Sequence, residues 1–261
     1  MQIESPQNPK IKNLLKLREK SRERKKQGLF VVEGIQENEL ALAAAFEPVE
    51  FFICVPIFDG SLNLSEFQKV TVSPNVYEKI AYRGTTAGLI GVYKSKTNNL
   101  EEIRLSKNAL VVVLESVEKP GNLGAILRSC DGAGADAIIV CDPLTDFYNS
   151  NVIRSSVGTV FTNQLGSDSF ENVVHWLKKN KLKIVSTYLN ESTQNLYEID
   201  FHPKTALIFG TEHSGLTNEW LEHSDQTIKI PMNGKVDSLN VSNAVAICIY
   251  EAVRQKNYSK S

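Results

Sequence analysis

The amino-acid sequence predicts an α/β protein whose C-terminal part holds a parallel β-sheet flanked by helices. From residue 109 onward, five continuous apolar runs recur: ALVVVLE, DAIIV, KLKIVST, TALIFG and QTIKIP. Strands that are buried on both faces have such continuous runs, whereas half-exposed strands alternate. The segment SFENVVHWLKKN separates two of the runs and has the apolar spacing of an amphipathic helix. A doubly covered parallel sheet accounts for both observations.

The first 96 residues predict a smaller, separate α/β domain. The order of its segments is strand LFVVEG, helix IQENELALAAAF, strands VEFFICV and KVTVS, helix PNVYEKIAY and strand GLIGVYK. A polar stretch over residues 97–108 reads as a linker. The predicted domains are therefore 1–96 and 109–261.

A basic helical arm is expected over residues 8–26. Asn8 is a suitable helix cap and Pro9 suits the first helical position. Only Glu19 and Glu23 oppose nine basic residues, so contact with a nucleic acid is favoured over a merely solvated helix face. The candidate contact residues are Lys10, Lys12, Arg22, Arg24, Lys25 and Lys26.

Composition narrows the class of protein. The formal net charge is −1, so a polyanion partner would have to be recognised locally. The four cysteines form no CxxC pair and have no zinc-ligand spacing with the histidines, so we expect buried thiols and no metal. We find neither a secretory signal core nor an apolar run of membrane-spanning length, and we expect a cytoplasmic protein without a membrane partner.

The segment GAGADA, residues 132–137, matches the glycine pattern of dinucleotide-binding proteins in an inverted context. That fingerprint requires a strand before the glycines and a helix after them, whereas here a helix precedes and a strand follows. The glycines are better explained as a helix C-cap. An NAD-dependent oxidoreductase is therefore a disfavoured alternative, and no P-loop or GxSxG motif occurs.

Three polar segments remain, and each lies where an apolar run has ended or a helix begins. They are GNLGAILRS, LIFGTEHSGLTNEW and IPMNGKVDSLNVSNAVA. Taken singly, each has a structural explanation: Asn122, Glu212, and Ser238 with Asn240 suit helix starts. Loops at the carboxyl ends of parallel strands are where α/β sheets bind ligands, so their joint occurrence favours a ligand site.

In these three segments the sequence resembles the SpoU (TrmH) family of RNA ribose 2′-O-methyltransferases, within the SPOUT superfamily. The family's three motifs match in order. The first, N-x-G-x-x-x-R, falls on Asn122, Gly124 and Arg128; the second, G-x-E-x-x-G, on Gly210, Glu212 and Gly215; the third, S-L-N-V-S-x-A, begins at Ser238. The N-terminal unit resembles the family's substrate-binding domain, which is related to the ribosomal protein L30e fold.

The resemblance implies a SPOUT methyltransferase domain with a deep trefoil knot, S-adenosylmethionine as methyl donor, and a homodimer. It places the donor against Gly210, Thr211, Gly215, Ile230, Met232, Leu239 and Asn240. It implies a catalytic set of Arg128, Asn122, Glu212, Ser238 and Asn240. Arg128 would also contact RNA, fixing the ribose 2′-hydroxyl and the adjacent phosphate and stabilising the developing oxyanion. The resemblance also implies a second role for Arg128, as the base that takes the 2′-hydroxyl proton, although a guanidinium is a poor base.

The nature of the RNA is a separate expectation. The distinct N-terminal domain inclines the prediction to ribosomal RNA over transfer RNA. A transfer-RNA 2′-O-methyltransferase of the same family, and a non-catalytic RNA-binding protein of the same fold, are the alternatives.

Overall fold

The computed structural model describes residues 2–82, 87–189, 193–211 and 215–258 of the chain. The strands are β1 (Leu29–Glu33), β2 (Pro48–Ile53), β3 (Lys69–Thr71), β4 (Leu89–Lys94), β5 (Leu110–Glu115), β6 (Ala137–Cys141), β7 (Leu165–Asp168), β8 (Lys183–Thr187), β9 (Gln194–Asn195), β10 (Thr205–Phe209) and β11 (Gln226–Lys229). The α-helices are α1 (Pro9–Glu19), α2 (Ser21–Gln27), α3 (Ile35–Ala43), α4 (Pro74–Ile80), α5 (Pro120–Ala133), α6 (Ser150–Ser155), α7 (Phe170–Lys179), α8 (Asn218–His223) and α9 (Val241–Tyr258). Short 3-10 helices lie at Leu100–Glu102, Thr159–Phe161 and Leu196–Glu198.

The chain forms two compact units. The first comprises Met1–Thr97 and Asp146–Thr162, and the second comprises Asn98–Thr145 and Asn163–Ser261. The first division lies beside the end of the predicted 1–96 domain. The predicted 109–261 domain differs from this division, because the structure assigns seventeen of its residues, 146–162, to the first unit. The predicted linker 97–108 lies almost wholly in the second unit, where Leu100 and Ile103 are buried in the apolar core.

The first unit is built on a mixed four-stranded sheet in the order β1-β4-β2-β3. Strand β4 is antiparallel to β1 and β2, and β3 is parallel to β2. Helices α1 and α4 cover one face, where Leu14, Phe52, Tyr77 and Ile90 belong to one buried apolar cluster. Asn8 caps α1 as the sequence predicts, since its side chain accepts a hydrogen bond from the Lys10 amide at 2.9 Å.

Aromatic packing explains why residues 146–162 belong to the first unit. The Phe30 ring stacks on Tyr148 with 4.5 Å between centroids, and it also lies 6.0 Å from the Phe161 ring. Arg24, only 4% exposed, forms a salt bridge of 2.6 Å with Asp146. These residues come from distant parts of the sequence and close one apolar core.

The second unit contains a seven-stranded sheet in the order β7-β6-β5-β10-β8-β11-β9, with every adjacent pair parallel. Every residue of β5, β6 and β10 is buried, as continuous apolar runs require. The predicted α/β class with a parallel sheet is confirmed. The short edge strands β7 and β9 were not predicted, because LGSD and QN are polar and carry no strand periodicity.

The GAGADA segment ends α5, as its inverted order predicts. Gly134 is the C-cap with a left-handed φ of 69°, and the chain then enters β6. Among the described helices, none has the length and apolar character needed to cross a membrane. All four cysteines are buried free thiols, as expected.

Candidate active site

The three polar segments meet at one edge of the parallel sheet. Strand β10 pairs with β5 on one side and β8 on the other, and β8 in turn pairs with β11. Because these strands are parallel, the chain leaves Glu115, Phe209 and Lys229 at the same edge. This is the edge at which α/β sheets bind ligands.

Gly210 follows β10 directly and lies against the backbone of Gly215. A Cβ added to Gly210 would come within 2.1 Å of the Gly215 carbonyl carbon and 2.2 Å of the Leu216 amide nitrogen. Thr211 and Gly215 exchange backbone hydrogen bonds of 3.0 and 3.1 Å. The loop therefore closes on itself and leaves no room for a side chain at Gly210. Glu212, which the sequence singles out, lies outside the described residues.

Glu115 contacts Thr217, which follows the same loop, and the sequence did not predict this contact. It ends β5 and is 6% exposed. Its two carboxylate oxygens accept hydrogen bonds from the Thr217 amide at 3.0 Å and the Thr217 hydroxyl at 2.7 Å. Thr217 precedes α8, so a buried carboxylate connects the end of β5 to the start of that helix. An acidic residue closing an otherwise apolar run is the signal that could have indicated this contact.

Asn122 does not cap α5, which corrects that interpretation of the first motif. The helix begins at Pro120 and its N-cap is Lys119, so Asn122 lies within the first turn. Proline at the first helical position is the local reason for this start. The Asn122 side chain instead accepts a hydrogen bond of 3.3 Å from the Asn240 side-chain amide. Within the part of the chain that the structure describes, the buried Asn122 Nδ2 has no hydrogen-bond partner.

Asn240 lies immediately before α9. Its Oδ1 accepts hydrogen bonds from the Ser242 amide at 2.9 Å and the Ser242 hydroxyl at 2.6 Å. This is the geometry of a helix N-cap. The third motif therefore starts α9, as the sequence predicts. It also contacts the first motif through Asn122.

Arg128 lies on α5 away from these contacts. It follows Asn122 by six positions, which corresponds to about 9 Å along the helix and about 120° around it. Its side chain is exposed and forms no ion pair with any described residue of the chain. The structure thus brings Asn122 and Asn240 together and leaves the Arg128 guanidinium open to solvent.

The remaining residues that are predicted to bind the methyl donor follow β11. Ile230 and Met232 are partly buried, and Leu239 is 37% exposed. Ser238 is exposed and donates a hydrogen bond of 3.1 Å to Asp237. Residues 230–240 form neither helix nor strand. This segment therefore presents backbone groups and a few apolar side chains at the edge of the sheet.

The basic arm folds as two helices, α1 and α2, that meet at Lys20. Lys12, Arg22, Lys25 and Lys26 are exposed, and Lys10 pairs with Glu50 at 2.5 Å.

Arg24 does not fit its predicted role as an RNA contact. Its guanidinium is buried, binds both carboxylate oxygens of Asp146 at 3.1 and 2.6 Å, and donates to the carbonyls of Leu17 and Arg18. Since its donors are directed into the protein, Arg24 stabilises the first unit.

The thiols are poor nucleophiles. Burial raises the pKa of Cys130 to about 12, with a contribution from Asp131, and burial also raises the pKa of Cys248 to about 12. Over the described ranges, no three His, Cys, Asp or Glu side chains are placed to hold a metal ion.

Comparison with known proteins gives the class that this fold and site define. Residues 109–250 match the model of the SpoU rRNA Methylase family, and residues 8–91 match the MRM3-like substrate binding domain. The chain belongs to the SpoU rRNA methylase family.

Individual relatives extend along most of the chain. The 23S rRNA (guanosine(2553)-2′-O)-methyltransferase RlmP of Bacillus subtilis is 30% identical over 249 residues, which cover 95% of this chain and 98% of RlmP. The tRNA (guanosine(18)-2′-O)-methyltransferase of Thermus thermophilus is 35% identical over 164 residues, covering 62% of this chain and 84% of that enzyme. The crystal structure of an AdoMet-bound rRNA methyltransferase from Sinorhizobium meliloti has a TM-score of 0.88 and 26% identity, with 99% of both chains covered.

Proposed function

We propose that this chain transfers a methyl group from S-adenosylmethionine to a ribose 2′-hydroxyl of a structured RNA, with ribosomal RNA preferred over transfer RNA. The observation that carries the proposal is that the closed loop at Gly210 and Gly215 and the Asn122–Asn240 contact both follow strands that end at the same edge of the parallel sheet. Membership of the SpoU family supplies the reaction class.

The residues at this edge fit the proposed donor. The backbone at Gly210 is packed too closely for any side chain, which suits recognition of a ligand by amides and carbonyls. The unpartnered Nδ2 of Asn122 is a buried donor that is available to a ligand. Gly210, Thr211 and Gly215 would hold the donor from one loop, and Ile230, Met232, Leu239 and Asn240 from the other.

S-adenosylmethionine supplies an electrophilic methyl group on a sulfonium. The protein must exclude water, align the hydroxyl with that methyl group and stabilise negative charge on the oxygen. Arg128 is suited to the last two tasks, because a planar guanidinium binds phosphate and oxyanion in a fixed geometry. Asn122, Glu212, Ser238 and Asn240 would position the loops around the reacting atoms.

Knotting, assembly and location are further parts of the proposal. Membership of the SpoU family, whose resemblance implies a knotted methyltransferase domain, supports a trefoil knot in the second unit. A homodimer through α9 is supported by Tyr250, which is 52% exposed, beside the partly buried Ala246 and Ile247. The proposed action of the protein on ribosomal RNA supports a cytoplasmic location.

Ribosomal RNA is the preferred substrate because the rRNA methyltransferase RlmP matches more of this chain than the tRNA methyltransferase does. RlmP matches 95% of the chain, whereas the tRNA methyltransferase of Thermus thermophilus matches 62%. The first unit is therefore shared with relatives that act on ribosomal RNA. A tRNA methyltransferase and a non-catalytic RNA-binding protein are the competing functions.

The test is transfer of labelled methyl from S-adenosylmethionine to RNA purified from a strain that lacks this gene. Ribosomal and transfer RNA are assayed separately, and the modified position is mapped by primer extension at low nucleotide concentration. Label at one ribosomal position supports the proposal, and label in transfer RNA alone supports the first competing function. RNA binding without transfer to either pool, under conditions in which the protein binds the donor, would contradict catalysis.

A further inference from the structure

A cavity of about 290 Å³ opens on the first unit, between the end of β1, the start of α3 and helix α6. Its polar lining includes Glu33, Glu37, Tyr82, Ser150 and Arg154. Small-molecule sites span roughly 300–1,000 Å³, so this cavity is of a size for one ring system. All of its lining residues belong to the first unit.

Two residues that line this cavity each have a buried polar atom without a hydrogen-bond partner among the described residues. Glu33 Oε2 accepts a hydrogen bond of 2.9 Å from the Tyr82 amide, but Glu33 Oε1 has no partner. The Ser150 hydroxyl on α6 is also unpartnered. Buried polar atoms are normally hydrogen-bonded, so a carboxylate oxygen and a hydroxyl left open at one cavity indicate a missing polar ligand.

A flat surface lies beside these atoms. The Arg154 guanidinium lies 4.1 Å from the centroid of the Tyr82 ring, and that ring remains 44% exposed. Aromatic rings and guanidinium planes are the surfaces on which unpaired RNA bases stack. The cavity therefore combines a stacking surface with open polar groups.

The charges select a ligand that donates hydrogen bonds. Glu33 and Glu37 both line the cavity and disfavour a phosphate there. Burial raises the pKa of the Glu33 carboxyl, and Glu37 adds to that rise, while the Tyr82 amide, Arg18 and Arg154 oppose it. Donors from a ligand would replace the hydration that the Glu33 carboxylate has lost.

Guanine is the base whose Watson–Crick edge matches a carboxylate. Its N1–H and N2 amine are adjacent donors, and a carboxylate can accept both. Adenine and cytosine place an acceptor nitrogen beside their single amine, and uracil places carbonyls on both sides of its N–H. Each of these edges would set an acceptor against Glu33.

We propose that the first unit binds the base of an unpaired guanosine in this cavity, with Glu33 on its Watson–Crick edge and Tyr82 with Arg154 against its face. The inference rests on the proposed function, because it assigns that guanosine to the substrate RNA. It gives the first unit a base preference in addition to the electrostatic contacts of the basic arm.

The test uses the full chain and oligouridine decamers that carry one central guanosine, inosine or adenosine, with binding measured by fluorescence anisotropy. We expect the guanosine decamer to bind on the order of tenfold more tightly than the adenosine decamer, since hydrogen bonds to a charged group are being compared. Inosine lacks the N2 amine and should fall between them. Equal affinity for guanosine and adenosine would overturn the inference without any mutation.

Variants test the same contact from the protein side. Glu33→Gln should lower guanosine-decamer affinity to the adenosine level and leave plain oligouridine affinity unchanged. Glu66→Gln removes an exposed carboxylate elsewhere in the first unit and should leave all affinities unchanged. Thermal unfolding of each variant checks folding. A folded Glu33→Gln protein that keeps the guanosine preference would refute the assignment of Glu33.

The outcomes separate this inference from the proposed function. Donor binding and methyl transfer to ribosomal RNA are measured on the same wild-type protein. Methyl transfer without a guanosine preference refutes the cavity alone. A guanosine preference without methyl transfer refutes the enzymatic proposal and leaves the cavity as a base site.

Discussion

Asn240 donates a side-chain hydrogen bond to Asn122 over 3.3 Å, although the two residues are 118 positions apart in the sequence. The side-chain oxygen of Asn240, Oδ1, caps α9 by accepting hydrogen bonds from the amide and the hydroxyl of Ser242. One amide therefore joins the start of α9 to the first turn of α5. The first and third motifs are coupled through this contact.

Paired alanine variants should separate the two roles of Asn240. Asn122→Ala removes the contact between motifs and keeps the cap of α9, whereas Asn240→Ala removes both. We expect both variants to reduce methyl transfer, and only Asn240→Ala to lose a further 0.5–2 kcal/mol or so of unfolding free energy. Single-turnover assays and chemical denaturation measure the two effects. Wild-type transfer by Asn122→Ala would show that the contact is dispensable.

Gly210→Ala should abolish donor binding. The added Cβ would lie 2.1 Å from the Gly215 carbonyl carbon. Backbone atoms cannot move away from this clash as the end of a flexible side chain could. Gly234→Ala is the matched control, because an added Cβ there meets nothing within 4 Å. We expect the control to change stability by less than about 0.5 kcal/mol. Calorimetric titration with S-adenosylmethionine measures both, and a donor affinity for Gly210→Ala equal to wild type would contradict the close-approach argument.

Arg24 and its neighbours should respond differently to neutral substitution. Arg24→Gln leaves Asp146 without its buried partner and should lower the unfolding free energy by about 3–5 kcal/mol. Lys25→Gln with Lys26→Gln should have little effect on stability. The double variant should flatten the salt dependence of RNA affinity by about 0.7–0.9 per lost phosphate contact. A flattened slope in a folded Arg24→Gln protein, with none in the double variant, would reverse these roles.

The sequence predicts most of the second unit because its signals are local. Continuous apolar runs identify β5, β6, β8, β10 and β11, and the polar segments after them identify the edge of the site. The same periodicity does not find residues 146–162, because their partner Phe30 is more than 100 positions away in the chain. Arg24 appears as one more basic residue for the same reason, since only the fold places Asp146 beside it.

The sequence predicts which residues form the candidate site but not which contacts they make. Glycine at position 210 indicates a close approach, and the structure identifies Gly215 and Leu216 as the groups approached. Asn122 suits a helix cap in sequence, but Pro120 starts α5 earlier and leaves Asn122 free to meet Asn240. Glu115 was missed because one acid at the end of an apolar strand has no periodic signature.

Stability should depend on pH through Glu33. Burial is the main cause that raises its pKa in the folded state, with Glu37 adding to it and the Tyr82 amide, Arg18 and Arg154 opposing it. The folded protein then holds this proton to higher pH than the unfolded chain, so stability falls as pH rises from 4.5 through the folded pKa. Glu33→Gln lacks that loss. We therefore expect its unfolding free energy relative to wild type to increase across this interval and then level off.

Denaturation of both proteins at several pH values measures this difference. Glu66→Gln, on an exposed residue, is the control and should give a difference that does not change with pH. A Glu33→Gln difference that falls as pH rises would mean that the ionised carboxylate is stabilised in the fold, contrary to its burial.

Arg128 should be required for transfer and not for folding or donor binding. Its side chain is exposed on α5, and it makes no ion pair within the described part of the protein that a substitution could break. Arg128→Ala should therefore abolish methyl transfer and leave S-adenosylmethionine affinity and unfolding free energy near wild type. Wild-type turnover in this variant would remove Arg128 from the site.

Arg128→Lys distinguishes orientation from proton removal. Lysine keeps the positive charge but loses the planar fork that binds a phosphate and a hydroxyl together. If orientation dominates, as we expect, single-turnover transfer with saturating donor should remain low at every pH. If proton removal dominates, the rate should recover as pH rises, because an amine loses its proton far more readily than a guanidinium does. A rising profile in Arg128→Lys would therefore assign the arginine as the base and overturn the orienting role.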